Sequence, residues 1–452
     1  MKLNSNVHAA PSNVSANIHT ELNAYEQLRR TVLACLLWED QFYENGEAIA
    51  ERIGRLVLEV PSLVVSSLAI EARHSYHLRH APLLLCALMS IHFKGSIVSN
   101  TIASVIRRPD EACELLAIIA KLKGRPTNLL KGLLTKQVKT GISRAFNEFT
   151  HYQLAKYKRE KAGISLKDVM LLCHPKPNSS FQASIWMDFL DGKLLPADTW
   201  ETALSSGEPH KQVWERLMRD KDLGASAFLK NLRNMREHDV DSYLIEEYFK
   251  DTDFRRNLPY EFAAAYRAAP WANHMLFTAM LSCVQQRNRF LLGRTIILVD
   301  NSYSMGKALS SKSSLTRRDA ALALALVAYS MCQYPKVIVF STDIAEATLD
   351  PNLGFENMER ISGATNQLNT YLGAAISKLE GLNYQRMIVI TDEETQGEEA
   401  TPTGYRNYML NISSNEKTVA YGSAWAARMT GFSSNLLEYI VEVERHMPAL
   451  TD

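Results

Sequence analysis

Two kinds of apolar spacing divide the chain. From residue 20 to about 285, apolar positions recur every three or four residues, in stretches such as ELNAYEQLRRTVLACLLW, GEAIAERIGRLVLEV, APLLLCALMSIHF and DEACELLAIIAKLKG. That period places one apolar stripe on each of a succession of helices. Gly, Pro and Asn punctuate the run at short intervals, and many helices of similar length in series imply a helical-repeat solenoid. The run NLLKGLLTKQVKTGISRAFNEFTHYQLAKYK continues the helical reading, as do DTWETALSS, VWERLMRDK, ASAFLKNLRNM and DSYLIEEYFKD. After about residue 288 short β-branched runs alternate with helical ones. The pattern predicts strands at 295–300, 336–341, 386–391 and 417–422, with helices at 316–333, 367–380 and 433–446. Such alternation specifies a doubly wound α/β domain. The expected organisation is an arm at 1–19, a helical module at 20–287 and the α/β domain at 288–452.

The first strand, TIILVD, runs into the loop Asp300-Asn301-Ser302-Tyr303-Ser304. In open α/β sheets, ligands bind just beyond the carboxyl ends of strands. A carboxylate and two hydroxyls at alternate positions there offer hard oxygens to Mg2+ or another divalent cation. RMIVITDEET at 386–395 is a second strand of the same kind, ending at Asp392, and Thr365 stands between the two. The set Asp300, Ser302, Ser304, Thr365 and Asp392 resembles the metal-ion-dependent adhesion site of von Willebrand factor A domains. That resemblance implies three hydroxyl ligands, two aspartates bound directly or through water, and one position open to a ligand's carboxylate. The plainer reading of Asp and Ser after a strand is turn formation and helix capping. A haloacid-dehalogenase-type phosphatase would need a second Asp where Ser302 stands.

Composition changes this picture little: 46% hydrophobic and 22% charged residues are ordinary for a globular protein. No apolar run approaches the roughly 20 residues that span a bilayer. The first residues lack the apolar core of a signal peptide. The six cysteines are widely spaced, without a Cys-x-x-Cys pair, and read as reduced thiols of a cytoplasmic protein. His74, His77 and His80 cannot converge on one metal from a regular helix, because residues six apart lie about 240° apart around its axis.

Charge changes the picture more. The net charge is +1, yet residues 121–176 carry a net +10 and residues 295–452 a net −6. Within the basic segment, Lys136, Lys139, Arg144, Lys156, Lys158, Arg159 and Lys161 interleave with Phe146, Phe149, Tyr152 and Tyr157. Cations mixed with aromatics suit phosphate contact and base stacking; a solvated helix face is the alternative.

Taken together, LRHAPLLL (78–85), KYKREKAGISLKDVMLLCHPKP (156–177), AFLKNLRNM (227–235) and LPYEFAAAYR (258–267), followed by the metal-type loop, resemble the Ro autoantigen family. Its N-terminal region is the TROVE module. The resemblance implies a monomeric ring of HEAT-like repeats closed by a von Willebrand A domain. It also implies Y RNA-like small non-coding RNAs bound on a basic outer surface, and single-stranded ends of misfolded RNA taken into a central hole. Lys156 and His174, with Arg159 or Lys161, would contact the Y RNA; the basic residues at 131–144 extend the path by charge. An exoribonuclease partner and a role in RNA quality control follow from the same likeness. No nucleophile–base pair or second-metal carboxylate cluster is legible, so the expectation is a binding protein and not an enzyme. The competing expectation is a protein-interaction scaffold that captures an acidic partner side chain through the metal.

Overall fold

The computed structural model describes residues 23–34, 46–126, 134–157, 163–195, 199–285, 290–309, 315–396, 400–412, 424–430, 435–445 and 447. Its compact units divide at Thr199/Trp200: the described residues up to Thr199 form one, and those from Trp200 on form the other. The change from helices to strands falls later, between Gln285 and Leu291.

The first unit is helical among its described elements. Ser62–His74 packs on His80–His92 and on Ser96–Val105, His80–His92 packs on Pro109–Leu122, and Ser96–Val105 packs on Lys136–Phe146. Carboxylates reinforce these apolar contacts from inside. Glu111, fully buried, accepts two bonds from Arg73 at 2.6 and 2.9 Å and the backbone N–H groups of Arg107 and Arg108. Arg79 reaches Asp110 and Glu114 on the same helix at 3.0 and 2.7 Å. A buried charge is tolerated only when paired, and here each pairing joins two helices.

Helix Lys136–Phe146 shows how sequence period becomes a surface. Thr135 caps it, accepting the Val138 N–H. Val138, Gly141, Ile142 and Ala145 form the buried stripe, so positions 136, 139, 140, 143 and 144 share the opposite face. Gly141 sets the separation. A Cβ placed there would meet Cβ and Cγ2 of Ile102 at 2.7 Å and the Ser99 carbonyl oxygen at 2.9 Å.

The second unit joins helices to a six-stranded sheet of order β3-β2-β1-β4-β5-β6. Its strands are β1 (Leu291–Asp300), β2 (Cys332–Phe340), β3 (Ile344–Ala347), β4 (Arg386–Thr391), β5 (Arg406–Asn411) and β6 (Ala427–Thr430). All neighbours run parallel except β2 and β3. Alternate residues serve different cores: Ile297, Val299, Ile388 and Ile390 join helix Arg317–Met331, while Ile296, Leu298, Met387 and Val389 join helix Leu372–Lys378. Burial on both faces explains why these strands read as continuous apolar runs. Helices Pro259–Ala268 and Asn273–Gln285 also belong here. Arg267 pairs with Asp319 at 2.8 Å, Tyr266 stacks on Phe355 at 5.4 Å, and Asn273 bonds the Leu353 carbonyl and the Phe355 N–H. These contacts put the last helices of the helical run into the compact unit of the sheet.

Some expected elements differ. The helix expected over 367–380 is confined to Leu372–Lys378, because Asn366 is held in a loop by bonds from Ser341 and Thr342 at 2.8 and 2.7 Å. Strands β3, β5 and β6 occupy positions where the apolar pattern implied none. The strand expected at 417–422 and the arm at 1–19 lie outside the described residues.

Gly141→Ala should cost on the order of 1–3 kcal/mol by overpacking the helix contact. Gly124→Ala serves as the comparison: nothing lies within 4 Å of its Cβ, although its positive φ carries a strain of its own. Denaturant unfolding measures both. A Gly141→Ala variant as stable as the wild type would mean that the two helices separate freely.

Candidate nucleic-acid interface and cation loop

The polar stripe of helix Lys136–Phe146 forms one wall of a cavity of about 580 Å3. Lys136, Lys139, Thr140, Ser143, Arg144 and, one turn further, Asn147 all line it. Their spacing of i, i+3, i+4, i+7, i+8 and i+11 keeps them on one helix face. The other wall comes from the chain beyond helix Leu166–Cys173. Pro175 and Pro177 cannot extend that helix, and it ends at His174 in the left-handed conformation, with φ 49°. His174, Lys176 and Asn178 thereby line the same cavity.

Gln182 braces the two walls. Its side-chain amide donates to the Asn147 carbonyl oxygen at 3.1 Å, and its side-chain oxygen accepts the Asn178 N–H at 2.7 Å. Cys173 also lines the cavity; burial pushes its thiol up to about 12, against the nearby charge of Lys139, so it is an inert apolar surface. Among the described residues, no carboxylate lines the cavity. Among the described residues, no acidic side chain pairs with Lys136, Lys139 or Lys176, and Arg144 bonds the neutral Asn100 at 2.6 Å.

Four of the expected RNA-contacting residues, Lys136, Lys139, Arg144 and His174, are therefore brought together. Lys156 is placed elsewhere. It ends helix His151–Lys156, donates to the Tyr152 hydroxyl at 3.0 Å and lies 5.2 and 5.9 Å from the ring centres of Tyr152 and Tyr157. Lys158, Arg159 and Lys161 lie outside the described residues. Sequence reasoning passed over Lys176, Asn147 and Asn178. Only the Pro-Lys-Pro-Asn run after His174 hinted at a turn that would bring Lys176 back.

The cation loop lies between β1 and β4, where the chain leaves one half of the sheet for the other. This is the switch-point crevice at which doubly wound sheets bind ligands. Asp300 is fully buried; one of its oxygens accepts the Ser302 N–H at 2.8 Å and the other the Thr391 hydroxyl at 2.6 Å. Burial, with the charge of Asp392 beside it, pushes Asp300 up to about 7, and the bonds from Thr391 and Ser302 offset part of that rise. The Ser302 and Ser304 hydroxyls stand 3.0 Å apart, about the edge of an octahedron with the roughly 2.1 Å bonds of Mg2+. Asn301 donates to the Thr365 hydroxyl at 3.2 Å and to the Ser362 carbonyl at 2.7 Å, which draws Thr365 to the loop. Tyr303 is 79% exposed, so its ring stands clear of the hydroxyls.

Asp300, Ser302, Ser304 and Thr365 thus fit a small hard cation. Asp392 already has a cation: Arg317 donates to it at 2.8 Å and to Glu394 at 3.0 Å, and Lys307 bonds Glu394 at 2.7 Å. These three partners were not singled out from sequence, although Arg317 opens a helix that the pattern did predict. No cluster of three or more His, Cys, Asp or Glu able to hold a metal occurs among the described residues. His74 and His80 diverge, toward the Ser104 carbonyl and Glu114.

Comparison with known proteins follows this geometry. A model of the TROVE domain family matches residues 191–244. Among solved structures, the chain is similar to the crystal structure of the Deinococcus radiodurans RO (RSR) protein, with a TM-score of 0.63 and 15% identity. The alignment covers 94% of this chain and 99% of that one. These findings support the Ro autoantigen family. No curated protein matches the chain in sequence. At 15% identity the structural likeness is one of fold, and the TROVE match begins beyond Asn178, the last residue lining the basic cavity.

Arg317→Met would leave the Asp392 carboxylate beside Asp300 without its guanidinium. Breaking a buried pair from one side costs on the order of 3–5 kcal/mol, and Arg317→Met/Asp392→Asn should recover much of it. Denaturant unfolding in chelator reads both variants. Wild-type stability in the single variant would show that Arg317 is dispensable to the loop.

Proposed function

We propose that the Ro-like chain is a non-catalytic RNA-binding protein of a small non-coding ribonucleoprotein. The observation that carries this reading is the cavity of Lys136, Lys139, Arg144, His174 and Lys176, lined by no carboxylate among the described residues. The lysines and Arg144 facing one concavity raise the local potential and attract a polyanion. Phosphate contact releases counterions, so affinity must fall steeply with salt. The family likeness names the finer expectations: a Y RNA-like structured RNA on this basic surface, misfolded or single-stranded RNA in the central hole of a HEAT-like repeat ring, an exoribonuclease partner and RNA quality control in the cytoplasm. No helix among the described residues is long and apolar enough to cross a membrane.

Sequencing the RNA that co-purifies with wild-type and Lys136→Glu/Lys139→Glu protein tests this reading, with affinity measured across a salt series. The variant should lose the enriched RNA, and the slope of log affinity against log salt should fall by roughly one for each lysine replaced. An unchanged RNA content would make the cavity face an ordinary solvated surface.

A second reading rests on the loop at the switch point. Its sequence resembles the adhesion site of a von Willebrand A domain, and the exposed Tyr303 and Leu368 flank it through a 2.8 Å backbone bond. Asp300, Ser302, Ser304 and Thr365 would hold Mg2+ or another divalent cation, with Asp392 contributing directly or through water. The ion would supply a fixed positive charge for a partner's carboxylate, as a protein-interaction scaffold requires. Adding Mg2+ to chelator-treated protein should raise the melting temperature of the wild type, because a ligand specific to the native state stabilises it. Asp300→Asn should abolish the rise. A shift of equal size in both proteins would place the bound ion elsewhere.

A further inference from the structure

Asp392 stands where a metal ligand should, yet both of its oxygens are engaged. One accepts the Glu394 N–H at 3.2 Å and the other the guanidinium of Arg317 at 2.8 Å. Both partners of this ion pair are buried. The backbone of Arg317 is pinned. Thr316 caps the helix that Arg317 opens, exchanging bonds with Asp319, and the Arg317 N–H donates to the Lys307 carbonyl oxygen at 2.9 Å. Its side chain has an alternative. The same nitrogen that meets Asp392 donates to Glu394 at 3.0 Å. Between these two carboxylates, Glu393 takes the left-handed conformation, with φ 56°, and turns the chain there. Glu394 is partly exposed and also holds Lys307, whose side chain is half exposed. A buried acceptor and a more accessible one thus share one guanidinium.

We propose that Arg317 is a built-in competitor of the divalent ion: it neutralises Asp392 until a metal enters the crevice, and then transfers wholly to Glu394. The inference rests on the metal-binding reading of the loop and specifies what controls that site. The affinity of a hard-cation site depends on how many charged ligands face the ion. With Arg317 on Asp392, Asp300 is the one aspartate of the pair without a guanidinium. With Arg317 on Glu394, both aspartates face the ion at full charge. Two buried carboxylates side by side repel when neither has a cation, and halving a buried ion pair is costly. The exchange avoids both, because the guanidinium leaves only as the metal arrives. Glu394 is ready to receive it, since Lys307 can turn to solvent. Arg317 therefore sets a threshold of divalent ion below which the loop stays closed by its own side chain.

Calorimetric titration of the full chain with Mg2+, after chelator treatment, tests this in the wild type, Arg317→Met, Glu394→Gln and the double variant. Arg317→Met should bind Mg2+ about ten-fold more tightly than the wild type. Glu394→Gln should weaken binding while Arg317 is present, by removing the group that receives it, and should change nothing in the Arg317→Met background. A plain loss of negative charge would weaken both backgrounds alike, so additive effects would count against the exchange. A crystal structure of the wild-type chain grown with Mn2+ should show Arg317 on Glu394 and away from Asp392. That readout needs no substitution, so it decides the matter even where Arg317→Met folds poorly. Arg317 still donating to Asp392 beside the bound ion, or equal affinities in the wild type and Arg317→Met, would overturn the competition and leave the metal site standing. Binding by Arg317→Met alone would support it, with the guanidinium outcompeting the ion in the wild type. Binding by neither protein would overturn the metal-binding reading itself.

Discussion

A buried charge must be compensated, and this chain meets that constraint by a consistent device: an arginine from one element set against a carboxylate from another. Arg73 and Arg79 do so with Glu111, Asp110 and Glu114 in the helical unit. In the second unit, Arg386 and Arg406 converge on Glu444, each at 2.5 Å, and tie helix Asn435–Glu444 to strands β4 and β5. Arg317 and Asp392 repeat the arrangement beside the cation loop. Low dielectric makes each pair strong when whole and costly when halved. These bonds serve fit between elements more than they add net stability.

The two candidate sites are built differently. Lys136, Lys139 and Lys176 face a shared cavity lined by no carboxylate among the described residues. Asp300 is buried with hydroxyl and backbone donors instead of an arginine, and its proton affinity is raised accordingly. On the RNA-binding and metal-binding readings, the complementary partner is an anion in one case and a cation in the other. Exposure separates the two cases. The lysines are solvated and wait at little cost, whereas Asp300 sits in the interior and is sensitive to whatever enters the crevice.

Much of this was legible in the sequence, because β1, β4 and helix Arg317–Met331 are apolar on every face and announce themselves. Strand β5 did not. Arg406, Asn407 and Asn411 are polar and buried, and RNYMLN contains no β-branched residue; pairing with β4 makes it a strand. Pro335 within β2 is tolerated because β3 pairs only with Val337–Phe340, so the strand is an edge at that point. At the basic site, the helical period sufficed for Lys136, Lys139 and Arg144. It could not reach Lys176 or Asn178, whose place depends on how the chain turns after His174. Lys156 belongs to the same charged segment but is not among the residues that line the cavity, which no count of charges could tell.

The register of the sheet has a consequence for how the protein is made. β1 pairs with β4 residue by residue, Val299 beside Ile390, across a long intervening stretch of chain. The cavity walls, by contrast, are complete once the chain has passed Gln182. Local contacts form quickly, and parallel pairings between distant segments form slowly. At roughly 5–20 residues per second of synthesis, a ribosome needs some tens of seconds to go from Gln182 to Thr391. For that interval the segments that line the basic cavity are already made, while β1, once it has emerged, can pair only with β2 and lacks β4. On the RNA-binding reading, RNA near the ribosome could meet the helical unit before the rest of the protein exists.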